Sequence, residues 1–164
     1  MSTVHLPAGA RHQPDIAVRL RGSLALASAS AALTHVMAAS HHFSEWWLFG
    51  TGFVVMAVLQ LVNAIALERT RWRVAVGAAV LINAPIVVLW VWSRTLGLPF
   101  GPEAGEAEAV GVADALCTVT EVALMGGAIA LLRGASERWL TRWSTAAVAV
   151  ALVGAATGFG HLGH

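Results

Sequence analysis

The chain contains no lysine and a single cysteine, Cys117, among its 164 residues. Without lysine it cannot form a retinal-type Schiff base, and with one cysteine it can form neither an internal disulfide nor a zinc site built from cysteines. Charged residues are also scarce at 12%, about half the share that soluble domains carry. These absences exclude a disordered chain, a nucleic-acid-binding arm and an ordinary water-soluble enzyme.

Hydrophobic residues, by contrast, make up 57% of the chain, and its mean hydropathy is +0.71. The hydrocarbon layer of a membrane is about 30 Å thick, and a helix needs about 20 apolar residues to cross it. Five stretches of 18 to 22 residues meet this length: 22–40, 46–67, 74–93, 111–132 and 143–160. Because backbone in lipid must bond within its own segment and these stretches show no strict alternation, we predict that they are helices.

The predicted fold is therefore all-α, an integral membrane bundle of five transmembrane helices. We predict a cytoplasmic N-terminal segment at 1–21 and a single transmembrane domain at 22–164. Nine of the ten arginines flank the spans on one side, and only Arg94 lies on the other. Since basic residues concentrate on the cytoplasmic side, the N-terminus should lie inside and His164 outside. The expected location is the bacterial plasma (inner) membrane, crossed several times.

Histidines and carboxylates gather at the outer side of this predicted bundle. Counting residues from the ends of the spans places six of them in one outer-leaflet layer or in the turn directly above it: His35, Asp114, His161, His41, His42 and Glu45. Imidazole nitrogen and carboxylate oxygen are ligands that suit zinc, copper and iron. We therefore predict that two or more of the six hold one transition-metal ion, copper or zinc, with redox activity as one option.

Simpler interpretations of the same residues stay open. The histidines of the turn can face water while the tryptophans that follow anchor the helix at the interface. Asp114 can form a buried ion pair with Arg94, which lies at the outer end of the third span. His35 and His161 can ligate a haem between two helices, but nothing else in the sequence argues for haem, which is the less favoured cofactor.

A second polar layer is predicted nearer the middle of the membrane, formed by Gln60, Asn83 and Glu121. An ionisable group within a membrane helix costs about 2.5–3.5 kcal/mol, so Glu121 should face the bundle interior. It shares a helix face with Asp114, seven residues earlier, and with Cys117. We interpret Cys117 as a packing residue, and ligation of a soft metal is the alternative. Glu121 could serve metal ligation, a proton relay or an ion path, or it could be protonated and bonded to Asn83 or Gln60.

Two segments resemble those of known proteins. The loop SRTLGLPFGPE, which begins at Ser93, and the turn HHFSEWW, which begins at His41, are similar to segments of a family of small, uncharacterised bacterial membrane proteins. The resemblance extends over roughly the first four helices. It implies a small multi-pass membrane protein and assigns no activity and no role to any residue.

Three classes of function fit these observations. The favoured class is a metal-binding membrane protein. The second is a structural or accessory subunit of a larger membrane complex, or a homo-oligomer, in which the polar layer only locks helices together. The third is a proton- or cation-coupled transporter that uses Asp114 and Glu121, although the spans show no inverted repeat. No nucleophile–base pair or nucleotide-binding motif appears in the sequence. Whether the protein is an enzyme stays open. The lipid bilayer is the expected partner, and nucleic acid is not.

The predicted topology can be tested with reporter fusions. A reporter that is active only in the cytoplasm should give no signal when it is fused after His164, because five spans place that end outside. The same reporter fused to the N-terminus should be active. A strong signal from the C-terminal fusion would contradict the predicted arrangement of spans.

Overall fold

The computed structural model describes residues 13–69 and 71–134 and five single positions beyond them: Trp139, Arg142, Ala146, Ala149 and Val153. Over these residues the chain is all-α, which confirms the predicted fold class for the described part. Residues 13–134 form four helices, which we number in chain order: α1 (Gln13–Glu45), α2 (Trp47–Leu67), α3 (Trp72–Thr95) and α4 (Val112–Leu132).

Each of the four helices contains a stretch long and apolar enough to cross a membrane, as a multi-pass membrane protein requires. These stretches are Val18–Glu45, Trp47–Leu67, Trp72–Thr95 and Val112–Leu132. The sequence predicts five spans, whereas the described part of the chain contains four. The predicted fifth span, 143–160, lies outside the described residues except for three single positions.

Successive helices run in opposite directions and give the bundle two chemically different ends. The arginine end, where α1 and α3 begin and α2 and α4 finish, carries Arg19, Arg21, Arg69, Arg71, Arg73 and Arg133. The loop end contains the junction of α1 with α2 and the loop 96–111. The predicted orientation makes the arginine end cytoplasmic and the loop end external.

Helix α1 is longer than the first predicted span at both ends. It has 33 residues, about 50 Å at 1.5 Å per residue, whereas the predicted span 22–40 has 19. The segment 1–21 is therefore helical from Gln13 onward, and His41–Glu45 form the last turn of α1 instead of a connecting turn. The physical reason is that no glycine or proline follows Ser40 before Glu45, so nothing in the local sequence ends the helix.

A single residue separates α1 from α2. Trp46 has extended backbone angles (φ −161°, ψ 132°), and α2 begins at the next residue. The corner is tight because the Phe43 ring packs onto Gly50, where an added Cβ would lie 2.2 Å from the ring. Gly50 is therefore required for the close approach of the two helices at the loop end.

The arginine end of the bundle is filled by small and branched apolar side chains. This inner cluster consists of nine buried residues drawn from all four helices: Leu24, Ala25, Ala27, Leu67, Ala75, Val76, Ala79, Leu124 and Ala128. Five of the nine are alanines, and such small side chains let membrane helices approach closely. The inner cluster closes the bundle on the arginine side, and the polar layer lies beyond it toward the loop end.

The loop 96–111 folds back onto the loop end of the bundle. Its backbone bonds to itself through Gly105 N–H and Leu98 C=O (2.8 Å) and to α3 through Glu108 N–H and Ser93 C=O (3.0 Å). Phe100 packs against Trp46 and Phe49, with ring centroids 6.4 and 6.3 Å away. These contacts fix the loop over the corner between α1 and α2.

Two glycines of this loop give a matched test of its folded conformation. Gly97 (φ +72°) and Gly105 (φ +84°) both adopt left-handed angles, so alanine at either should cost about 1–2 kcal/mol. A Cβ at Gly97 would also lie 2.5 Å from the Gly105 backbone, whereas a Cβ at Gly105 meets nothing within 4 Å. Gly97→Ala should therefore lower the melting temperature of the detergent-solubilised protein clearly more than Gly105→Ala. Equal shifts would show that the loop does not fold back in this way.

Candidate metal centre

A network of buried polar side chains crosses the bundle at the level of Glu121. Its members come from every described helix: Ser28 and His35 from α1, Gln60 from α2, Asn83 from α3, and Glu121 from α4. All five are almost fully buried; His35 is 6% exposed and Glu121 1%. The sequence predicted Gln60, Asn83 and Glu121 as one intramembrane layer, and the structure brings these three together.

The carboxylate of Glu121 is the centre of this network. Its Oε1 lies 2.9 Å from Nε2 of His35 and accepts a hydrogen bond of 3.0 Å from Nε2 of Gln60. The sulfur of Cys117, one helical turn earlier on α4, lies 3.9 Å from the same oxygen. One carboxylate oxygen therefore meets an imidazole, an amide and a thiol from three helices.

Hydrogen bonds with α1 and α3 hold Gln60 in place. Its side-chain amide also donates to Oδ1 of Asn83 (2.9 Å), and Asn83 in turn donates to the Ala79 carbonyl (2.7 Å). The hydroxyl of Ser28 donates to the backbone carbonyl of Gln60 (2.7 Å). The position of the Gln60 amide, and through it the orientation of Glu121, is thus set by contacts with α1 and α3.

His35, Cys117 and Glu121 lie close enough together to hold one metal ion. Each offers one ligand atom, and the three atoms lie within 4.8 Å of one another; among the described residues no other three histidine, cysteine or acidic side chains do so. The group combines a nitrogen, a sulfur and an oxygen donor, all on buried side chains. We call it the buried triad.

The structure separates His35 and Asp114 from the other described members of the predicted six-residue metal cluster. His41, His42 and Glu45 form a separate group at the loop end of α1, where Glu45 Oε1 lies 3.3 Å from Nδ1 of His41 and Glu45 Oε2 2.7 Å from Nδ1 of His42. His161 lies outside the described residues. The sequence placed His35 in one layer with Asp114 and His161, whereas in the structure His35 bonds to Glu121 at a deeper level.

Asp114 belongs to a third group, separate from the histidines. Its Oδ2 accepts hydrogen bonds from Nη2 of Arg94 (2.6 Å) and from Nε1 of Trp90 (3.0 Å), and Arg94 also pairs with Glu108. The ion pair between Arg94 and Asp114 that the sequence suggested is present here. Because Asp114 is paired with Arg94, a permanent cation, it is not the partner of His35.

The depth of His35 in the bundle explains why the structure groups it with Glu121, whereas the sequence grouped it with Asp114. The prediction measured depth from Ser40, but α1 continues to Glu45, which places His35 ten residues, about 15 Å, from the helix end. Glu121 lies nine residues, about 14 Å, into α4. His35 is therefore level with Glu121. Cys117 was not included in the predicted site because it was interpreted mainly as a packing residue, although its spacing of four from Glu121 indicated a shared face.

Comparisons of the chain with protein-family models, with curated proteins and with solved structures found no match. The fold and site define a multi-pass helical membrane protein with a buried group of imidazole, thiol and carboxylate. Its function is therefore argued from the chemistry of these residues.

Two amides on one face of α2 test whether this polar network stabilises the bundle. Asn63 is only 3% exposed, and neither polar atom of its side chain has a hydrogen-bond partner among the described residues. Gln60, one turn away, bonds to both Asn83 and Glu121. Gln60→Leu should destabilise the solubilised protein by about 1–3 kcal/mol because it leaves buried groups without partners, whereas Asn63→Leu should be neutral or stabilising. Thermal unfolding followed by tryptophan fluorescence measures both, and an equal loss in Asn63→Leu would contradict the assignment.

Proposed function

We propose that this protein binds one transition-metal ion, zinc or copper, at the buried triad of His35, Cys117 and Glu121. The observation that carries the proposal is the convergence of three different donor atoms within 4.8 Å inside a bundle of membrane-length helices. Ionisable groups are rare inside membrane bundles and usually mark functional sites. Of the six residues that the sequence favoured as ligands, this deeper site includes only His35.

The donor types and distances suit such an ion. Zinc and copper accept imidazole, thiolate and carboxylate, whereas magnesium and calcium prefer oxygen ligands alone. Ligands of a tetrahedral zinc lie 2.0–2.3 Å from the metal, which places neighbouring donors roughly 3.3–3.6 Å apart. The separations here are 2.9 Å from His35 to Glu121 and 3.9 Å from Cys117 to Glu121. Shifts of a few tenths of an ångström bring these two pairs to tetrahedral spacing, and the third pair, His35 and Cys117, lies within 4.8 Å.

Charge balance favours a divalent ion. One thiolate, one carboxylate and one neutral imidazole carry two negative charges, which a divalent metal neutralises completely. A centre without net charge costs least to bury where water is excluded.

The ligands release protons when they bind metal, so binding should weaken in acid. Three protein ligands also leave one coordination position open, as in exchangeable or reactive zinc sites.

The surrounding contacts support binding more than transport. Gln60, held by Asn83 and Ser28, donates a hydrogen bond to Glu121 and orients it, as such hydrogen bonds orient metal ligands in proteins. Leu67, Val76 and Leu124 close the arginine end and have no exposed surface. Asp114, the second acid of the proposed transporter, is engaged by Arg94.

The accessory-subunit alternative rests on one specific observation. The network of His35, Glu121, Gln60 and Asn83 joins all four described helices, and such a network can serve only to fix their packing. Cys117 separates this alternative from metal binding, because a structural lock does not need a thiol 3.9 Å from the carboxylate oxygen.

Metal content of the purified protein tests the proposal. After loading with zinc or copper(II) and buffer exchange in detergent, elemental analysis should find about one ion per chain. His35→Ala, Cys117→Ser and Glu121→Gln should each abolish retention, since each removes a ligand of the triad. Thr118→Val, a buried change one residue along α4, should retain the metal. Gln60→Leu should weaken the affinity for the metal about 10–100-fold, because it removes the hydrogen bond that orients Glu121.

Two results would overturn metal binding. One is a stoichiometry near zero in the metal-loaded wild-type protein. The other is unchanged metal content in Cys117→Ser, which would place the ion elsewhere. In either case the polar network would retain only its structural role, and Gln60→Leu would still destabilise the bundle.

A further inference from the structure

A continuous row of aromatic rings connects the exposed end of α1 with the buried triad. His41 stacks on His42 with ring centroids 5.7 Å apart, and His42 stacks on Phe53 of α2 at 4.0 Å and 17°. Phe53 in turn meets His35 edge-on at 5.5 Å and 68°. The row begins at an imidazole whose side chain is 75% exposed and ends at a ligand of the triad.

Phe53 separates two sets of metal-binding side chains. His35 and His42 are seven residues apart on α1, two turns or about 10 Å, and the Phe53 ring packs against both imidazoles. On its far side, Glu45 contacts His42 through one carboxylate oxygen and His41 through the other. These pairs are spaced i,i+3 and i,i+4 on the helix, so each can chelate one ion.

The outer group has the properties of a weak, exchangeable site. Its side chains are partly exposed, and its donor atoms do not converge on one point as those of the buried triad do. The inner cluster closes the opposite end of the bundle, so the loop end is the side from which an ion can approach the triad. The rings of His42 and Phe53 lie across that approach.

We infer that His41, His42 and Glu45 form an outer capture site for the divalent metal ion, and that Phe53 is the barrier the ion passes to reach His35, Cys117 and Glu121. This inference rests on the proposed function of the buried triad. Captured ions are concentrated next to the barrier, and rotation of the Phe53 ring limits the rate of transfer. The stacked rings slow both loading and loss of the buried ion without contributing to its affinity.

Cobalt(II) provides a probe that distinguishes the two sites. Its absorption spectrum gains a sulfur-to-metal charge-transfer band when a thiolate binds, and Cys117 is the single cysteine of the chain. The band therefore reports the buried triad alone. Stopped-flow mixing of the purified full-length protein with cobalt(II) gives the loading rate, and addition of a chelator gives the release rate.

Variants at the outer site and at Phe53 itself should change these rates without changing the final cobalt band. His41→Ala and Glu45→Gln leave the contacts of Phe53 intact and should slow loading at low cobalt about tenfold, because they remove the local attraction for cations. Phe53→Ala should speed loading and release several-fold. Val54→Ala, an exposed apolar change at the next position of α2, is the control and should leave both rates unchanged.

The outcomes separate this inference from the proposed function. Absence of the Cys117-dependent band in the wild-type protein would refute metal binding at the triad and the inference with it. A normal band that forms at wild-type rates in Glu45→Gln and Phe53→Ala would refute only the capture site and the barrier. If Phe53→Ala fails to develop the band, Phe53→Leu provides the test, because it retains apolar volume and removes the ring; wild-type rates in that variant would overturn the barrier.

Discussion

The structure depends on the need to satisfy one carboxylate, Glu121, within an apolar bundle. Placing such a group in a membrane helix costs about 2.5–3.5 kcal/mol, and contacts with buried donors offset this cost. The donors come from α1 and α2, as His35 and Gln60, and Gln60 is linked to α3 through Asn83. Because these groups must lie at the same depth, Glu121 fixes the positions of the four helices relative to one another along the bundle axis. Apolar packing alone would not fix these positions.

Packing on the arginine side complements this polar layer. Hydrophobic burial does not drive association of helices in lipid, since the lipid tails are as apolar as the side chains. The alanines of the inner cluster allow close backbone approach, which brings the short side chains of Ser28 and Asn83 within hydrogen-bonding distance of Gln60 on α2. Close packing and polar pairing therefore support each other.

The sequence was sufficient to predict the four described membrane helices and the inward-facing layer of Gln60, Asn83 and Glu121, because hydrocarbon thickness and the cost of buried polarity are general constraints. The grouping of His35 was not predictable in the same way. It depends on where α1 ends, and the stop lies at Trp46, where no glycine or proline marks it. A shift of five residues in that boundary moves His35 from the level of Asp114 to the level of Glu121.

The two acids of α4 then differ in chemistry although they share a helix face. Asp114 is neutralised by Arg94, whose positive charge does not depend on pH in the physiological range, and this pair belongs to the loop end of the structure. Glu121 has no permanent cation beside it; its partners are an imidazole, an amide and a thiol. Its negative charge is therefore balanced only by a proton or by an added cation. A divalent metal ion would balance the charge of Glu121 and that of the Cys117 thiolate together, which is why the metal proposal falls on this acid and not on Asp114.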